Sequence, residues 1–248
     1  MSVPKDNFSI QASAYAMFRP GYPVELYDFI LSLTNERDCA LDVATGNGQV
    51  AAVLAEHFEK VYAIDISEKQ IQNSIQKHNI FYSIAPAEHT GFENRQFELI
   101  TVGQAAHWFR LEEFYTEVQR IIKPGGVLAL FGYTLPVIDD ATDAVVMDLY
   151  EGLLGTYWDP ERKLVDARYE TLSYPFNKIV PPPFKMEYSW SLDQLLGFLG
   201  TWSAVQHYKK KLGTDPMDLI TEKLKAAWGD KGIKKITFPV FLLATKFQ

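Results

Sequence analysis

The sequence predicts an α/β fold built on a doubly wound sheet, and three observations predict it. Through residues 39–134, apolar runs of strand length alternate with segments of helical periodicity. Within that stretch, ALDVATGNGQVAAVLAEHF at 40–58 joins a strand ending in Asp42 to a turn containing Gly46 and Gly48. A helical pattern follows, and VYAIDIS then supplies a second strand ending in Asp65, so the segment reads as one β–α–β nucleoside-binding unit. Finally, 248 residues at 47% apolar can bury one full α/β core with an elaboration or a small subdomain.

The elements follow in order. NFSIQASAYAMFRPGYP is helical until Pro20, which ends the helix after Arg19. Strands are expected at 39–43, 61–65, 80–84, 97–102 and 127–133, with helices at 48–57, 68–78 and 111–122. Ser67 and Glu68 mark the start of the second of these helices, and KPGG at 123–126 a sharp turn between helix and strand. From Leu135 to Pro183 the alternation stops. Asp139 to Leu154 reads as helical, YWDPER and PPPF as loop and linker, and FKMEYSW as a strand. Two helical patterns lie between Leu192 and Trp228, and KKITFPVFLLATKF closes the chain as a strand. The chain thus divides into N-terminal capping helices (1–38), a cofactor-binding core (39–134), a mostly helical substrate-side insertion or cap (135–232) and a closing strand of the core sheet (233–248).

Composition excludes several function classes. A net charge of −7 with no long basic block argues against a nucleic-acid partner, and Lys209–Lys211 reads as a solvated helix end. No apolar run approaches the ~18 residues of a membrane span, and MSVPKDNFSIQ carries no signal-peptide pattern, so a soluble, cytoplasmic protein is expected. The single cysteine, Cys39, packs as a small hydrophobe, and the five histidines show no metal-ligand spacing, so no metal is expected.

The glycine turn alone leaves the cofactor open. Gly46, Gly48 and Ala51 satisfy the dinucleotide spacing, and Asp65 stands where a ribose-binding acid belongs. A dinucleotide site, however, places its first glycine directly after the strand, whereas here Asp42 precedes Gly46 by four residues. A carboxylate there suits a cofactor with a cationic end better than a diphosphate. The run DVATGNG resembles motif I of class I S-adenosylmethionine-dependent methyltransferases. Ala44 stands where the first glycine is usual, a small departure if its φ is negative.

The resemblance extends through ITVGQAAHWF and KPGG, as in methyltransferase type 11 domains. YAMFRPGYP, FGYTLPVIDD with GTYWDPER, and LGTWSAVQHYKK resemble the fungal trans-aconitate methyltransferase group. It implies a doubly wound Rossmann-like methyltransferase sheet, mostly parallel with an antiparallel C-terminal strand, plus a helical insertion or cap. It further implies that Asp65 accepts from the ribose hydroxyls, the alternative being a helix-cap partner. Variant Asp65→Ala is then expected to weaken cofactor binding while leaving the stability of the free protein nearly unchanged. Ile66 would lie against adenine, and Ala87 and Glu88 would read its edge through backbone groups, with the Glu88 side chain exposed. Gln104 would sit beside the sulfonium and offer an acceptor to the methionine ammonium. Tyr15 and Arg19 either contact the methionine carboxylate or pin the leading helix to the domain.

On the substrate side, His107 and Trp108 fall just past a strand's carboxyl end, where open α/β sheets hold ligands. The competing reading makes Trp108 and Phe109 core residues. His107 is either a general base or a donor that orients substrate. Tyr157, Trp158, Trp190 and Trp202 suggest a substrate-enclosing cap or plain packing, and Arg162 and Arg168 suit an anionic group. The combined expectation is an S-adenosylmethionine-dependent methyltransferase acting on a small molecule, with O-methylation of a carboxylic acid favoured by the resemblance. A non-catalytic S-adenosylmethionine-binding protein and a nicotinamide-dependent oxidoreductase are the rivals.

Overall fold

The computed structural model describes residues 20–248. Seven strands form one sheet in the order β3-β2-β1-β4-β5-β7-β6. They are β1 (Cys39–Val43), β2 (Lys60–Asp65), β3 (Ile80–Ile84), β4 (Phe97–Gly103), β5 (Ile122–Tyr133), β6 (Phe184–Trp190) and β7 (Lys234–Lys246). β1 to β5 pair in parallel, and β7 runs antiparallel to both β5 and β6. The expected doubly wound, mostly parallel sheet with an antiparallel C-terminal strand is therefore the observed one. The winding direction reverses between β1 and β4, so their carboxyl ends form the switch-point crevice.

Alternation along the strands sends side chains to two cores. Ala40, Leu99, Val127 and Phe131 pack against α1 (Val24–Leu33) and α2 (Gln49–Leu54) on one face. Leu41, Ile100, Leu128 and Leu130 pack against α4 (Leu111–Ile121) on the other. A third core joins Met186, Trp190, Ile236 and Phe238 of β6 and β7 to α5 (Asp140–Met147), α7 (Leu192–Gly200), α8 (Ser203–Leu212) and α9 (Pro216–Trp228). The stretch 135–232 is thus not all cap, since its strand β6 is the outer edge of the core sheet.

Several boundaries differ from expectation for local reasons. The helix expected at 68–78 is α3 (Glu68–Gln72), because Asn73 Nδ2 and Ser74 Oγ turn back onto the carbonyls of Lys69 and Ile71, both at 2.7 Å. KPGG lies inside β5: Ile122 already pairs with Phe97, the ladder bulges, and pairing resumes at Val127 with Leu99. Gly125 takes φ +80° there and donates its N–H to Phe247 O at 2.8 Å. The two helices expected between Leu192 and Trp228 are three. Gly213 at φ +73° stops α8, and Asp215 caps Met217 N at 3.0 Å with Pro216 in the first turn of α9. The helical run from Asp139 holds, its second half being a π-helix over Asp148–Leu153.

At the amino end of the sheet, away from the crevice, the carboxylates of Glu36, Asp38 and Glu98 gather around the Lys123 ammonium. Among the described residues, no helix is long and apolar enough to cross a membrane.

One buried cation ties the cap to the sheet. Lys234 Nζ donates to Asp139 Oδ2 (2.6 Å), Thr142 Oγ1 (3.0 Å) and Ala227 O (3.1 Å), and lies over the Trp228 ring. This hydrogen bond holds the Asp139 carboxyl down at about 2. Substitution Lys234→Met should lower unfolding free energy in urea by about 1–3 kcal/mol at neutral pH. Because the folded pKa of Asp139 is depressed, the Asp139 share of that stabilisation is complete above about pH 4 and lost as pH falls toward 2. The difference between the two proteins should narrow over that window, and a difference independent of pH would remove the ion pair from the account.

Candidate functional site

The turn after β1 borders the crevice. Ala44, Gly46 and Gly48 take φ of +54°, +56° and +80°. Thr45 N donates to Ile64 O and Gly46 N to Asp65 Oδ2, each at 2.9 Å, fastening the turn to the end of β2. A Cβ on Gly48 would fall on the Tyr82 phenol oxygen, so this glycine is required by its φ and by the tyrosine beneath it. A Cβ on Gly46 would meet no described atom within 4 Å, so that side of the turn is open. Ala44 corrects an expectation. Its φ is positive, and it carries the left-handed strain, about 1–2 kcal/mol, that the usual glycine avoids.

Asp42 is 1% exposed. Its Oδ2 accepts from Thr45 Oγ1 at 2.5 Å and its Oδ1 from Thr101 Oγ1 at 2.8 Å, Thr101 being its register partner on β4. Burial pushes its carboxyl up to about 6 against the opposing pull of the two hydroxyls. Sequence reasoning aimed this carboxylate at a cationic ligand, but its oxygens are engaged inside the protein, where they hold the turn. Thr45, Thr101 and Tyr82 were missed, although the alternation of ITVG on β4 already puts Thr101 on the face that Asp42 shares.

Asp65 takes the helix-cap role that was one of its two expected readings. Its Oδ1 accepts from Ser67 N at 2.9 Å, and Ser67 in turn caps α3 by accepting from Gln70 N at 3.3 Å. Ile66 beside it is 40% exposed. Ala87 is buried with Leu41, Val43 and Ile64. The Glu88 side chain, expected to be exposed, instead lies at the start of α4, accepting from Arg110 N at 2.9 Å with the Arg110 guanidinium at 3.8 Å.

Gln104, at φ +55°, clamps the ends of β4 and β5. Its Nε2 donates to Tyr133 O at 3.1 Å and its Oε1 accepts from Tyr133 N at 2.8 Å. The oxygen foreseen for a ligand ammonium is therefore already accepting a backbone hydrogen. Tyr22 covers the same strand ends, edge-on to Phe131 at 4.6 Å. Tyr15 and Arg19 lie outside the described residues.

His107 sits in a 3₁₀ turn, Ala106–Trp108, with its ring 4.7 Å from that of Trp108. It is 8% exposed, and its Nδ1 lies 2.9 Å from Tyr169 Oη. Burial first, and the nearby Arg162 charge second, push its pKa down to about 3, so the ring is neutral at physiological pH. Arg162 opens α6 (Arg162–Asp166). Its Nε donates to Tyr150 Oη (3.0 Å) and Asp166 Oδ1 (3.1 Å), and its guanidinium lies over the rings of Trp158 (5.1 Å) and Tyr150 (5.5 Å). Trp158 Nε1 donates to Tyr150 O at 3.0 Å.

The remaining aromatics divide between cap interior and surface. Trp202 is buried against Tyr150 and Trp158, and Trp190 packs on Phe198 and Phe238, so both belong to the cap interior. Tyr157 stacks on Tyr208 under Lys211. The structure thus brings Arg162 and Trp158 together, sets the Arg162 charge close enough to act on His107, and leaves Tyr157 on the α8 side. Tyr150, Asp166 and Tyr169 have no signature in the sequence.

Two substitutions test this geometry. Ala44→Gly should leave stability unchanged or raise it by up to about 1 kcal/mol, where the same change at an ordinary position costs 0.5–1 kcal/mol by approximate scale. A chemical denaturation curve decides, and a loss would mean the turn is unstrained at Ala44. Asp65→Ala should cost about 1–3 kcal/mol of stability, because it strips the acceptor from Gly46 N and Ser67 N. This revises the expectation of an unaffected free protein. Unchanged unfolding would show that water replaces the carboxylate freely.

The chain matches the methyltransferase domain family over residues 41–130. It is 34% identical over 249 residues to a protein of Dictyostelium discoideum assigned as a methyltransferase, covering 97% of this chain and 95% of that one. It is 25% identical over 148 residues to a Saccharomyces cerevisiae protein assigned as S-adenosylmethionine-dependent, covering 56% of this chain and 51% of that one. Among solved structures, one assigned as a type II methyltransferase of Anaeromyxobacter dehalogenans superimposes with a TM-score of 0.84 at 40% identity, covering 92% of this chain and 98% of that one. With a similarity that spans nearly the whole chain and a sheet of the matching topology, the protein belongs to the class I S-adenosylmethionine-dependent methyltransferases.

Proposed function

We propose that the protein transfers a methyl group from S-adenosylmethionine to a carboxylate oxygen of a small organic acid, as its resemblance to the trans-aconitate methyltransferase group suggests. Arg162 carries this reading. Its Nε is held by Tyr150 and Asp166, its face rests on two aromatic rings, and its terminal nitrogens have no hydrogen-bond partner among the described residues. A guanidinium fixed on one side, with no partner among the described residues on the other, suits bidentate pairing with a carboxylate.

The crevice fits the cofactor. The open side of Gly46 and the exposed Ile66 suit a nucleoside, with the Asp65 carboxylate at the neighbouring crest meeting its ribose hydroxyls and Ile66 its base. When bound, S-adenosylmethionine supplies an electrophilic methyl group on a sulfonium. The chain's own residues orient the acceptor and exclude water. Proton removal is not among their tasks here, since a carboxylic acid is already ionised near neutrality, its ordinary pKa being about 4. A histidine held near 3 matches that requirement, because it neither gains a charge nor competes for a proton.

Calorimetry should show binding of S-adenosylhomocysteine and none of NAD; the opposite result would sink the reading and revive the oxidoreductase. Labelled S-adenosylmethionine offered with a panel of di- and tricarboxylic acids should yield base-labile esters, whereas label on amines or hydroxyls alone would overturn the carboxylate. With an acceptor found, His107→Ala should lower turnover by no more than about tenfold, short of the ~10²–10⁴ of a general base. The pH–rate profile should carry no limb near ~6.5. A thousandfold loss, with such a limb in the wild type alone, would make His107 the base.

A further inference from the structure

Tyr169 is fully buried, with 0% of its surface exposed, and its hydroxyl lies 2.9 Å from His107 Nδ1. Two arrangements of hydrogens are open. If Nδ1–H donates to the phenol oxygen, the phenol's own hydrogen has no acceptor among the described residues. A buried hydroxyl left so is a costly defect. If the phenol donates to Nδ1, both groups are satisfied, and the backbone amides of Ala106 and His107, which also face the oxygen, remain on its acceptor side.

We infer that Tyr169 donates its hydroxyl hydrogen to His107 Nδ1 and so fixes the imidazole as the Nε2–H tautomer, a neutral donor that meets an oxygen of the bound acid. The inference rests on the proposed carboxylate reading for its ligand and on the structure alone for its tautomer. Tyr169 is a positioning residue, because it acts through His107.

The surroundings are built for this arrangement. Arg168 and Tyr169 are consecutive non-glycine residues at φ +51° and +59°. Such strain persists only where neighbours impose it. Here Arg168 N bonds Val165 O and Tyr169 N bonds Leu164 O, both at 2.8 Å, while Phe241 of β7 packs edge-on against the phenol at 4.9 Å. The turn after α6 thereby drives the phenol under the imidazole. Arg162 of α6 is the charged group facing His107, Tyr169 is the titratable one, and Tyr115 of α4 stands behind Tyr169. Arg162 and burial keep the ring uncharged, and Nε2 has no partner among the described residues. A neutral Nε2–H accepts no proton and rewards an oxygen lone pair, so it favours a carboxylate over an ammonium group at the same place.

The test is long-range proton–nitrogen correlation NMR on protein labelled with ¹⁵N-histidine, with His107→Gln used to assign the resonances. The wild type should show a bare Nδ1 and a protonated Nε2, unchanged between about pH 5.5 and 8. A slowly exchanging Tyr169 hydroxyl proton should cross-relax with the His107 ring. Tyr169→Phe should average the two nitrogen signals while leaving S-adenosylhomocysteine affinity unchanged. A wild-type ring protonated at Nδ1, a ring that titrates in that range, or an Nε2–H pattern undisturbed in Tyr169→Phe would each overturn the inference. The wild-type spectrum and the hydroxyl cross-peak decide it even if the variant fails to fold. Absence of S-adenosylhomocysteine binding to the wild type would instead defeat the methyltransferase reading and leave the tautomer standing.

Discussion

Placing the Asp42 carboxylate inside the protein costs free energy, and the two threonine hydroxyls that meet it offset only part of the cost, so burial leaves its carboxyl raised to about 6. What the fold gains is a rigid first crest. Thr101 reaches Asp42 from β4 and Thr45 from the turn, so one carboxylate joins the two strands on either side of the switch point to the loop that spans them. The open side of Gly46, the seat of Asp65 and the direction of α2 all follow from where that loop lies. The second carboxylate repeats the device at the next crest, where Asp65 accepts from Gly46 N and Ser67 N. Both acids thus hold the turn that forms the first crest, one from within β1 and the other from the end of β2.

The cap relates to this core through a few polar ties across an apolar seam. Lys234 fixes the start of the insertion to the first residue of β7, and Tyr169 fixes the turn after α6 to the 3₁₀ turn after β4. Between them lies the aromatic cluster of Tyr150, Trp158 and Trp202. Because β6 is both the outer edge of the sheet and part of the cap's core, the cap cannot swing as a body without disturbing β7. The site is therefore built from two layers whose relative placement the sheet itself sets.

Strand positions were legible because each strand is an apolar run with a clear period, and the glycines and acids of the crests lie within one local unit. Helix ends were less so, since Asn73 and Ser74 end α3 through side-chain bonds to its own carbonyls, a choice no periodicity records. Within the site, residue type at Asp42, Asp65 and Gln104 pointed to the crevice, but orientation did not follow from type. Asp42 and Gln104 turn inward onto Thr45, Thr101 and Tyr133, while Glu88 turns to Arg110. Tyr169 was invisible, being 62 residues from His107 and brought to it by two strained residues that carry no sequence signature.

The electrostatics of the site follow from what each charge is already bonded to. Arg162 is balanced by Asp166, and Tyr150 donates to both Asp166 oxygens at 2.8 Å while accepting from Arg162 Nε. Among the described residues the Arg162 hydrogen bonds run through Nε, which orients the planar guanidinium, and under the proposed function its outer edge meets the acid. A lysine could not divide its bonding in this way, because three donors rotating on one nitrogen fix no plane. The fold thus orders the cation in advance, and under the proposed function that pre-organisation raises affinity for the acid. A protonated His107 near it would add a second positive charge and, under the proposed function, a rival claim on the acid. Keeping that ring neutral makes the guanidinium the one full charge of the pair, so that in the proposed reaction the imidazole is left the narrower task of setting direction.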